Sequence, residues 1–476
     1  MTDVNGIKEK LAGIVGPEKV LDDEEVLERY SQDQSFVTPR SPFLVVYPTT
    51  DEEIQQVVRL ANLEKFPVVP YSSGALQQGT SVPRIGGSVV VDLSRMNKII
   101  DFDVENRTVA IEPGVTFAQL QEAANKEGLR VCTPVGLPAN ASVLLTYIEF
   151  VPLYSWSKYG TWFLLPFEVV LPNGEKMGTG SWAWANSSIK GASPVTIGAG
   201  LSTVYIGAQG TLGIVTKGRV VLKNLNEAEE VYFFPFAEVE KITPSLHKIL
   251  RTSVKGTGEE CFIVDRKNLY QLIYGTWPES PSLTNNLPPW TVVLVLSGTK
   301  GEVEYQREDM MEIAQQNGIE VKEDLPGVPD VGRRILGELR VPKGFYQSEK
   351  WCYHPLQFYV SARMIPAALN IFENLLEQSG YPRDRVGYLL LPVEKGRVYY
   401  CEYGVRSEKD GDDRKKTQEF WIEVAKALLD AGAYFDRPYG PLEELVYARA
   451  GIYHSMVKKI KGLLDPNHIM NTGRLY

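Results

Sequence analysis

The feature that most constrains the fold is a short apolar strand followed directly by a loop of small residues, VVPYSSGA at positions 68–75. Upstream, residues 43–47 predict another strand, and Thr50 and Glu53 form a capping box before residues 54–61, whose apolar side chains follow helical spacing. The order strand, helix, strand predicts a β-α-β unit that ends at the loop. Small residues there leave backbone N–H groups accessible, and such groups can bind phosphate oxygens.

Two common phosphate-binding motifs are absent from this loop. No Gly-Lys-Ser or Gly-Lys-Thr follows it, which excludes a P-loop, and the GxGxxG fingerprint is missing. The similar stretch Gly198-Ala-Gly200 has Thr203 where the third glycine would stand. Taken alone, the loop reads first as an ordinary tight turn.

Composition and charge narrow the classes of function. The 476 residues suffice for two or three domains, and the net charge of −9 without a long Lys/Arg block argues against nucleic-acid binding. The N-terminus lacks the pattern of a signal peptide, and no apolar run approaches ~18 residues, so we expect a cytoplasmic protein without a membrane span. The cysteines form no CxxC pair and the histidines no HExxH motif, so no metal site is expected and redox chemistry would need an organic cofactor.

Further elements follow from periodicity and turn residues. We expect an N-terminal helix, a hairpin of residues 98–103 and 108–112, and a helix that begins at a capping box, Thr116 to Gln119. Strands are predicted at 167–171, 212–223 and 397–403, and helices at 365–378, 418–431 and 442–464. In the strand at 397–403, side chains alternate, so Arg397, Tyr399, Cys401 and Tyr403 share the face opposite Tyr400 and Glu402.

Three motifs beside the loop carry a family resemblance: EPGVTFAQLQEA at 112–123, GTLGIVT at 210–216 and DPNHIMNTGR at 465–474. Together with the loop they resemble the FAD-linked oxidase superfamily, over about residues 38–224 and 432–476. The resemblance implies an FAD-dependent dehydrogenase or oxidase with an α+β fold: a two-subdomain FAD-binding domain of p-cresol methylhydroxylase type and an α+β cap domain over the flavin. The implied boundaries are 1–37 (helical segment), 38–225 (FAD-binding domain), 226–430 (cap domain) and 431–476 (C-terminal segment returning to the FAD-binding domain).

Within the superfamily, the vanillyl-alcohol oxidase branch is the most similar. The matching residues are, in order, Ser142, Glu149, Tyr154, Tyr159, Gly160 and Trp162, followed by Glu168 to Glu175. This resemblance implies that Ser142 lines the isoalloxazine ring and that Tyr154 faces the substrate cavity. Tyr154 is equally readable as an aromatic core residue.

The resemblance also implies the remaining site residues. The loop that would wrap the FAD pyrophosphate comprises Ser72, Ser73, Gly74, Ala75, Leu76 and Gln77, and further FAD contacts are expected from Pro134, Ser142, Ile214, Val215 and Arg474. Arg437, in the segment GAYFDR, matches an arginine that binds the substrate anion. His354 is a candidate for covalent attachment of the flavin, with packing in the cap domain as its other interpretation. Glu402 is a candidate acid/base group.

Three positions depart from the branch. A substrate-binding tyrosine falls at Gln78, the tyrosine beside the substrate arginine falls at Asp436, and a carboxylate expected near flavin N5 falls around Leu137, in a segment without the usual double glycine. These departures leave the substrate open.

Three hypotheses therefore stand. The first is oxidation of a small aromatic alcohol, an alkylphenol or a related anion by hydride transfer to FAD. The second is a dehydrogenase of 2-hydroxy acids such as lactate or glycolate, and the third is a catalytically degenerate structural subunit of a redox complex. The expected electron acceptor is O2, a cytochrome, an electron-transfer flavoprotein or an iron–sulfur subunit, and the chain is expected to form a homo-oligomer.

Overall fold

The computed structural model describes residues 4–154, 163–189, 191, 193, 198–252, 258–345, 348 and 350–475. Its strands are β1 (Val20–Leu21), β2 (Leu44–Val46), β3 (Val68–Tyr71), β4 (Val89–Asp92), β5 (Ile99–Asp103), β6 (Thr108–Ile111), β7 (Leu129–Arg130), β8 (Leu164–Val170), β9 (Lys176–Gly178), β10 (Ile214–Val221), β11 (Lys223–Asn224), β12 (Ala228–Phe236), β13 (Glu260–Asp265), β14 (Trp290–Gly298), β15 (Cys352–Val360), β16 (Val386–Pro392) and β17 (Val398–Ser407).

The helices are α1 (Val4–Val15), α2 (Glu24–Arg29), α3 (Asp51–Glu64), α4 (Phe117–Lys126), α5 (Val143–Ile148), α6 (Ser202–Tyr205), α7 (Ile242–Thr252), α8 (Arg266–Tyr274), α9 (Lys300–Gln316), α10 (Val331–Arg340), α11 (Ile365–Ser379), α12 (Val393–Gly396), α13 (Asp412–Asp430), α14 (Leu442–Ala450) and α15 (Ile452–Leu464). Across the described ranges, no helix is both long and apolar enough to cross a membrane.

The predicted β-α-β unit forms the first sheet, with strand order β1-β2-β4-β3. Strands β2, β4 and β3 are parallel, and their valine-rich runs are mostly buried, as expected for parallel strands covered on both faces. Thr50 caps α3 by accepting a hydrogen bond from the Glu53 N–H, whereas the Glu53 side chain accepts one from the Thr49 N–H. The N-terminal segment also supplies β1, a strand that the sequence did not predict.

The second sheet is antiparallel, with strand order β5-β6-β10-β8-β9. The predicted hairpin is present as β5 and β6, and the complete capping box of Thr116 and Gln119 begins α4. The end of β3 with Ser72 and the segment that leads into β10 line one cavity.

The third sheet has six strands in the order β12-β14-β13-β16-β17-β15, all antiparallel. Helices α11 and α13 cover one face, and Tyr399, Cys401 and Tyr403 lie in the core on that side. Tyr400 belongs to the core on the opposite face, as the alternation predicted. Arg397 lies outside β17, so the prediction that it shares the strand face is wrong.

The C-terminal residues form two helices rather than the single helix predicted for 442–464. Gly451, at φ 49° and ψ −116°, separates α14 from α15. This conformation breaks the helical hydrogen-bond pattern, and glycine adopts it without the clash that a Cβ would cause. The spacing of apolar residues continues across Gly451, and for this reason the sequence predicted one helix instead of two.

A buried ion pair fixes the chain end to the cleft. The Lys461 ammonium lies 2.5 Å from Asp465 and donates hydrogen bonds to the carbonyls of Thr211 (2.6 Å) and Met470 (2.7 Å). Asp465 accepts from the N–H groups of Ile469 and Met470. Residues 465–471 thus lie against β3 and the GTLGIVT motif.

Lys461→Met is expected to lower the free energy of unfolding by about 3–5 kcal/mol, because the carboxylate of Asp465 would stay buried without its partner. Equilibrium unfolding in urea measures this loss. Lys459→Met, an exposed lysine on the same helix, is the control and should change stability by less than about 0.5 kcal/mol. A loss below about 1 kcal/mol in the Lys461 variant would contradict the role of this anchor.

Candidate active site

A cavity of about 730 Å³, called the cleft below, lies between the loop after β3, the start of α5 and the segment before β10. Its lining includes Ser72, Ser142, Leu145, Glu149, Gln209 and Val215. Ser142 begins α5 by accepting from the Leu145 N–H and donates its own hydroxyl proton to the Pro113 carbonyl.

Two glycines of the GTLGIVT motif allow the backbone to form one wall of the cleft. Gly210 has φ +68°, and a Cβ there would overlap the ring of Pro70 at the end of β3. Gly213 packs so closely on β8 that a Cβ would lie 2.7 Å from Val169 Cγ2 and 2.8 Å from the Val170 carbonyl. Only glycine fits at these two positions. The predicted cofactor residues Ile214 and Val215 follow directly and line the cleft.

Only Ser72 of the small-residue loop lines the cleft, and residues 73–77 are not part of its lining. The Ser73 hydroxyl accepts from the Ser142 N–H at 3.0 Å, which ties the loop to α5, and Ala75 is part of the core. Gly74, Leu76 and Gln77 line a neighbouring cavity of about 440 Å³. Tyr71 lines both cavities, and its hydroxyl packs on Gly74. The role of these residues in binding a pyrophosphate stays a prediction.

Two further residues predicted to contact the cofactor lie outside the cleft lining. Arg474 is fully buried and donates to the carbonyls of Gly79 and Val82, while its Nη1 has no hydrogen-bond partner among the described residues. Burial lowers the pKa of Arg474 to about 10. Pro134 is buried and pairs with Leu153. Arg474 thus secures the loop that continues from Gln77.

Glu149 is a buried carboxylate that the sequence did not assign. It lines the cleft, and accepts hydrogen bonds from the Gln209 N–H and the Tyr439 hydroxyl, both at 3.0 Å. Burial raises the pKa of Glu149, against the opposing effects of these hydrogen bonds and of Arg437 and Arg474. The position of the branch's carboxylate falls around Leu137, which is a buried core residue in this chain. The available signal was a lone acidic residue directly after the apolar run of α5.

A second cavity of about 450 Å³, called the chamber below, lies between β15, α13, residues 35–36, residues 77–78 and residues 437–442. Aromatic and amide side chains make up much of its lining, which includes Phe36, Gln78, Tyr353, Gln357, Trp421 and Tyr439. Arg437 also lines the chamber. The structure therefore brings Gln78 and Arg437, which are far apart in sequence, to one cavity.

Arg437 is a buried cation. None of its three guanidinium nitrogens has a hydrogen-bond partner within the described ranges, and Asp436 Oδ1 lies 3.5 Å from its Nε. Burial alone would lower the pKa of Arg437, but the nearby Asp436 carboxylate raises it, so the side chain stays charged. Its guanidinium carbon lies 5.7 Å from the centre of the Tyr400 ring. A buried guanidinium without hydrogen bonds is costly and favours binding of an anion.

Glu402 lies behind the chamber in a complete hydrogen-bond network. Its carboxylate accepts from the hydroxyls of Tyr353 (2.5 Å) and Tyr400 (2.6 Å) and from the side-chain amide of Gln357 (2.8 Å). Gln78 donates in turn to the carbonyl oxygen of Gln357 at 3.0 Å. Because a carboxylate only accepts hydrogen bonds, Glu402 fixes the orientation of the Gln357 amide.

His354 and Tyr154 take different positions. His354 lines the chamber, stacks on Phe36 with ring centres 4.1 Å apart, and places Nε2 2.8 Å from the Ser407 hydroxyl. Burial lowers the pKa of His354. Tyr154 is buried against Phe262 and lines neither the cleft nor the chamber. Covalent attachment at His354 stays a prediction, and Tyr159, Gly160 and Trp162 lie outside the described residues.

The hydrogen bond between Tyr439 and Glu149 links the linings of the two cavities. Tyr439 lines the chamber, Glu149 lines the cleft, and the Tyr439 hydroxyl donates to Glu149. Within the described part of the chain, no cluster of three or more His, Cys, Asp or Glu side chains could hold a metal ion. The arrangement is therefore a cleft and a chamber with a buried cation, linked by the hydrogen bond from Tyr439 to Glu149.

The chain is similar to known proteins in sequence and in fold. A family model described as an FAD binding domain matches residues 42–177. The chain is 30% identical to D-2-hydroxyglutarate dehydrogenase of Stutzerimonas stutzeri over the full length of both proteins. It is 23% identical to D-lactate dehydrogenase of Anaerostipes hadrus over 97% of this chain and 95% of that protein.

Two solved structures share the fold. A 4-ethylphenol oxidase of Gulosibacter chungangensis, in complex with isoeugenol, superimposes with a TM-score of 0.85 at 18% identity. A p-cresol methylhydroxylase with bound substrate gives a TM-score of 0.82 at 20% identity. Each comparison covers 99% of this chain and 96% of the other chain.

Proposed function

This chain belongs to the FAD-linked oxidase superfamily and is an FAD-dependent oxidoreductase, and on that premise we propose that it oxidises a small aromatic anion held by Arg437. The substrate would be an aromatic alcohol, an alkylphenol or a related compound. The observation that carries the proposal is the buried guanidinium of Arg437, which faces the chamber without a hydrogen-bond partner among the described residues.

The residues of the cleft fit FAD. One wall is the glycine backbone of 210–213, and the apolar side chains of Leu144, Leu145 and Ile148 offer a surface for a flat ring. Gln209 Oε1, in the lining, is buried without a hydrogen-bond partner in the described ranges, and so offers an acceptor to a ligand. Ser72, Ser142, Ile214 and Val215 would hold the cofactor. Bound FAD would accept the hydride of the substrate at N5.

The chamber residues would bind and orient the substrate. Arg437 would pair with its phenolate or carboxylate by charge-assisted hydrogen bonds, which are about twice as strong as neutral ones. Phe36, Tyr353 and Trp421 provide aromatic walls that suit an aromatic ring. These walls favour the aromatic substrate over a short aliphatic one. Glu149 and Glu402 are the buried carboxylates that can accept a proton beside the chamber.

A second candidate is the oxidation of a 2-hydroxy acid, with Arg437 bound to the carboxylate. The observation in its favour is the full-length similarity to proteins named D-2-hydroxyglutarate dehydrogenase and D-lactate dehydrogenase. The third hypothesis, a structural subunit without catalysis, loses support because the relatives are named as enzymes. The electron acceptor and the oligomeric state stay predictions.

Anaerobic mixing of the FAD-loaded protein with a panel of compounds tests the proposal. We expect 4-ethylphenol or an aromatic alcohol such as 4-(hydroxymethyl)benzoate to bleach the flavin absorbance within seconds to minutes. Bleaching by D-lactate, glycolate or D-2-hydroxyglutarate alone would replace the proposal with the second candidate. Stoichiometrically bound FAD that no compound of either class reduces would overturn both.

A further inference from the structure

The geometry points to Tyr439 as a catalytic residue that accepts the hydroxyl proton of an alcohol substrate and passes its own proton to Glu149. We infer this from the position of the Tyr439–Glu149 pair between the chamber and the cleft. The inference rests on the proposed function and names the group that accepts the hydroxyl proton of the substrate.

Tyr439 is held in place by the backbone around Arg437. The Tyr439 N–H donates to the Arg437 carbonyl at 3.0 Å, and Pro438 lies between the two residues. Both residues line the chamber. An anion bound to Arg437 would therefore lie in a cavity that Tyr439 also lines. Tyr439 itself is almost fully buried, so its hydroxyl needs a partner, and Glu149 provides it.

Glu149 is suited to receive a proton. Arg437, Arg474, Tyr439 and Tyr447 are the charged or titratable groups that face it. Burial raises the pKa of Glu149, so its carboxylate is more basic than an exposed one. The bond from the Gln209 N–H holds the other carboxylate oxygen and fixes the rotamer. Its Oε2 therefore points at Tyr439.

The step balances as follows. The substrate O–H bond breaks and its proton moves to the Tyr439 oxygen, while the Tyr439 O–H bond breaks and its proton moves to Glu149 Oε2. The electrons of the O–H bond form the new C=O bond, and the hydride from the same carbon goes to the flavin. One proton and one hydride leave the alcohol, which becomes a carbonyl compound.

Tyr439→Phe tests the relay in the FAD-loaded protein. The rate of flavin reduction by 4-(hydroxymethyl)benzoate, or by the alcohol of the panel that reduces the wild type fastest, should fall about 10²–10⁴-fold, the usual range for loss of an acid/base group. The affinity for benzoate, which has no hydroxyl to react, should change less than about threefold. Tyr434→Phe, an exposed tyrosine of the same segment, is the matched control and should keep the wild-type rate.

The pH dependence of stability provides a readout without flavin. Because the folded-state pKa of Glu149 is raised, its protonated form is favoured by folding, and stability is lost as the pH rises through that pKa. The hydrogen bond from Tyr439 stabilises the ionised carboxylate and so limits the increase in the pKa of Glu149. Tyr439→Phe should therefore destabilise the apoprotein more at pH 9, where the carboxylate is ionised, than at pH 5. In a Glu149→Gln background, the loss caused by Tyr439→Phe should be the same at both values.

Two results would overturn the relay: a Tyr439→Phe enzyme that oxidises the alcohol at the wild-type rate, or an equal loss of apoprotein stability at pH 5 and pH 9. If the Tyr439 variant does not fold, Glu149→Gln alone should lower the rate of alcohol oxidation about 10²-fold or more, and an unchanged rate would overturn the inference. Failure of the whole panel with wild-type protein would instead reject the proposed function, while the apoprotein comparison would still test the pair.

Discussion

Arg437→Met is expected to lower kcat/KM for the substrate by roughly 30- to 4,000-fold, which corresponds to the ~2–5 kcal/mol that a buried charged hydrogen-bond pair contributes to binding. The physical reason is that the substrate anion would enter a buried cavity without its cation. Methionine preserves much of the side-chain volume, so the chamber should keep its shape. Stopped-flow measurement of flavin reduction over a range of substrate concentrations gives the value.

The control for this prediction is Arg449→Met. Arg449 lies on α14, is partly exposed and pairs with Asp430 at the surface, so its loss should leave kcat/KM unchanged. FAD content of the Arg437 variant should equal that of the wild type, whereas its urea unfolding midpoint should fall, because the buried Asp436 carboxylate loses the cation 3.5 Å away. An Arg437 variant that loses FAD, or that oxidises the substrate normally, would contradict the assigned role.

Gly210→Val is expected to weaken FAD binding at least 100-fold. A side chain at this position overlaps Pro70, and the φ of +68° is itself unfavourable for a branched residue. The backbone must therefore move, and it forms one wall of the cleft. Titration of the apoprotein with FAD, followed by the quenching of flavin fluorescence, measures the affinity.

Gly128→Val is the control that distinguishes the steric clash expected at Gly210 from the cost of a positive φ alone. Gly128 has a similar φ of +70°, but a Cβ there meets no atom within 4 Å. This variant should lose the ~1–3 kcal/mol of stability that such strain costs and still bind FAD like the wild type. If both variants bind FAD equally well, the 210–213 backbone is not a wall of the cofactor site.

The local elements were predictable because their causes are local. The valine-rich strand β3 and the capping box of Thr116 and Gln119 depend on residues within a few positions of each other, and the structure has them where the sequence predicted. The break at Gly451 was missed because the apolar spacing of α14 and α15 continues across it. The spacing of apolar residues carries no information about the backbone angles of a single residue such as Gly451.

The candidate site was predictable only in part, because its contacts join distant segments. Arg437 was identified through a motif, and the structure places it in a cavity. Glu149 was named among the residues that match the branch but was given no role, since its partner Tyr439 lies 290 residues away and no pattern in the sequence links the two. For the same reason the sequence did not reveal that Tyr71 packs on Gly74, which separates most of the small-residue loop from the cleft.

A flavin in the cleft and an anion on Arg437 would occupy adjoining parts of one redox centre. The most direct test is the absorption spectrum of the FAD-loaded protein during titration with benzoate. We predict a saturable shift of the flavin bands in the wild type and none in Arg437→Met. A protein that stays colourless with excess FAD, or a flavin spectrum that does not respond while calorimetry shows benzoate bound, would contradict the account.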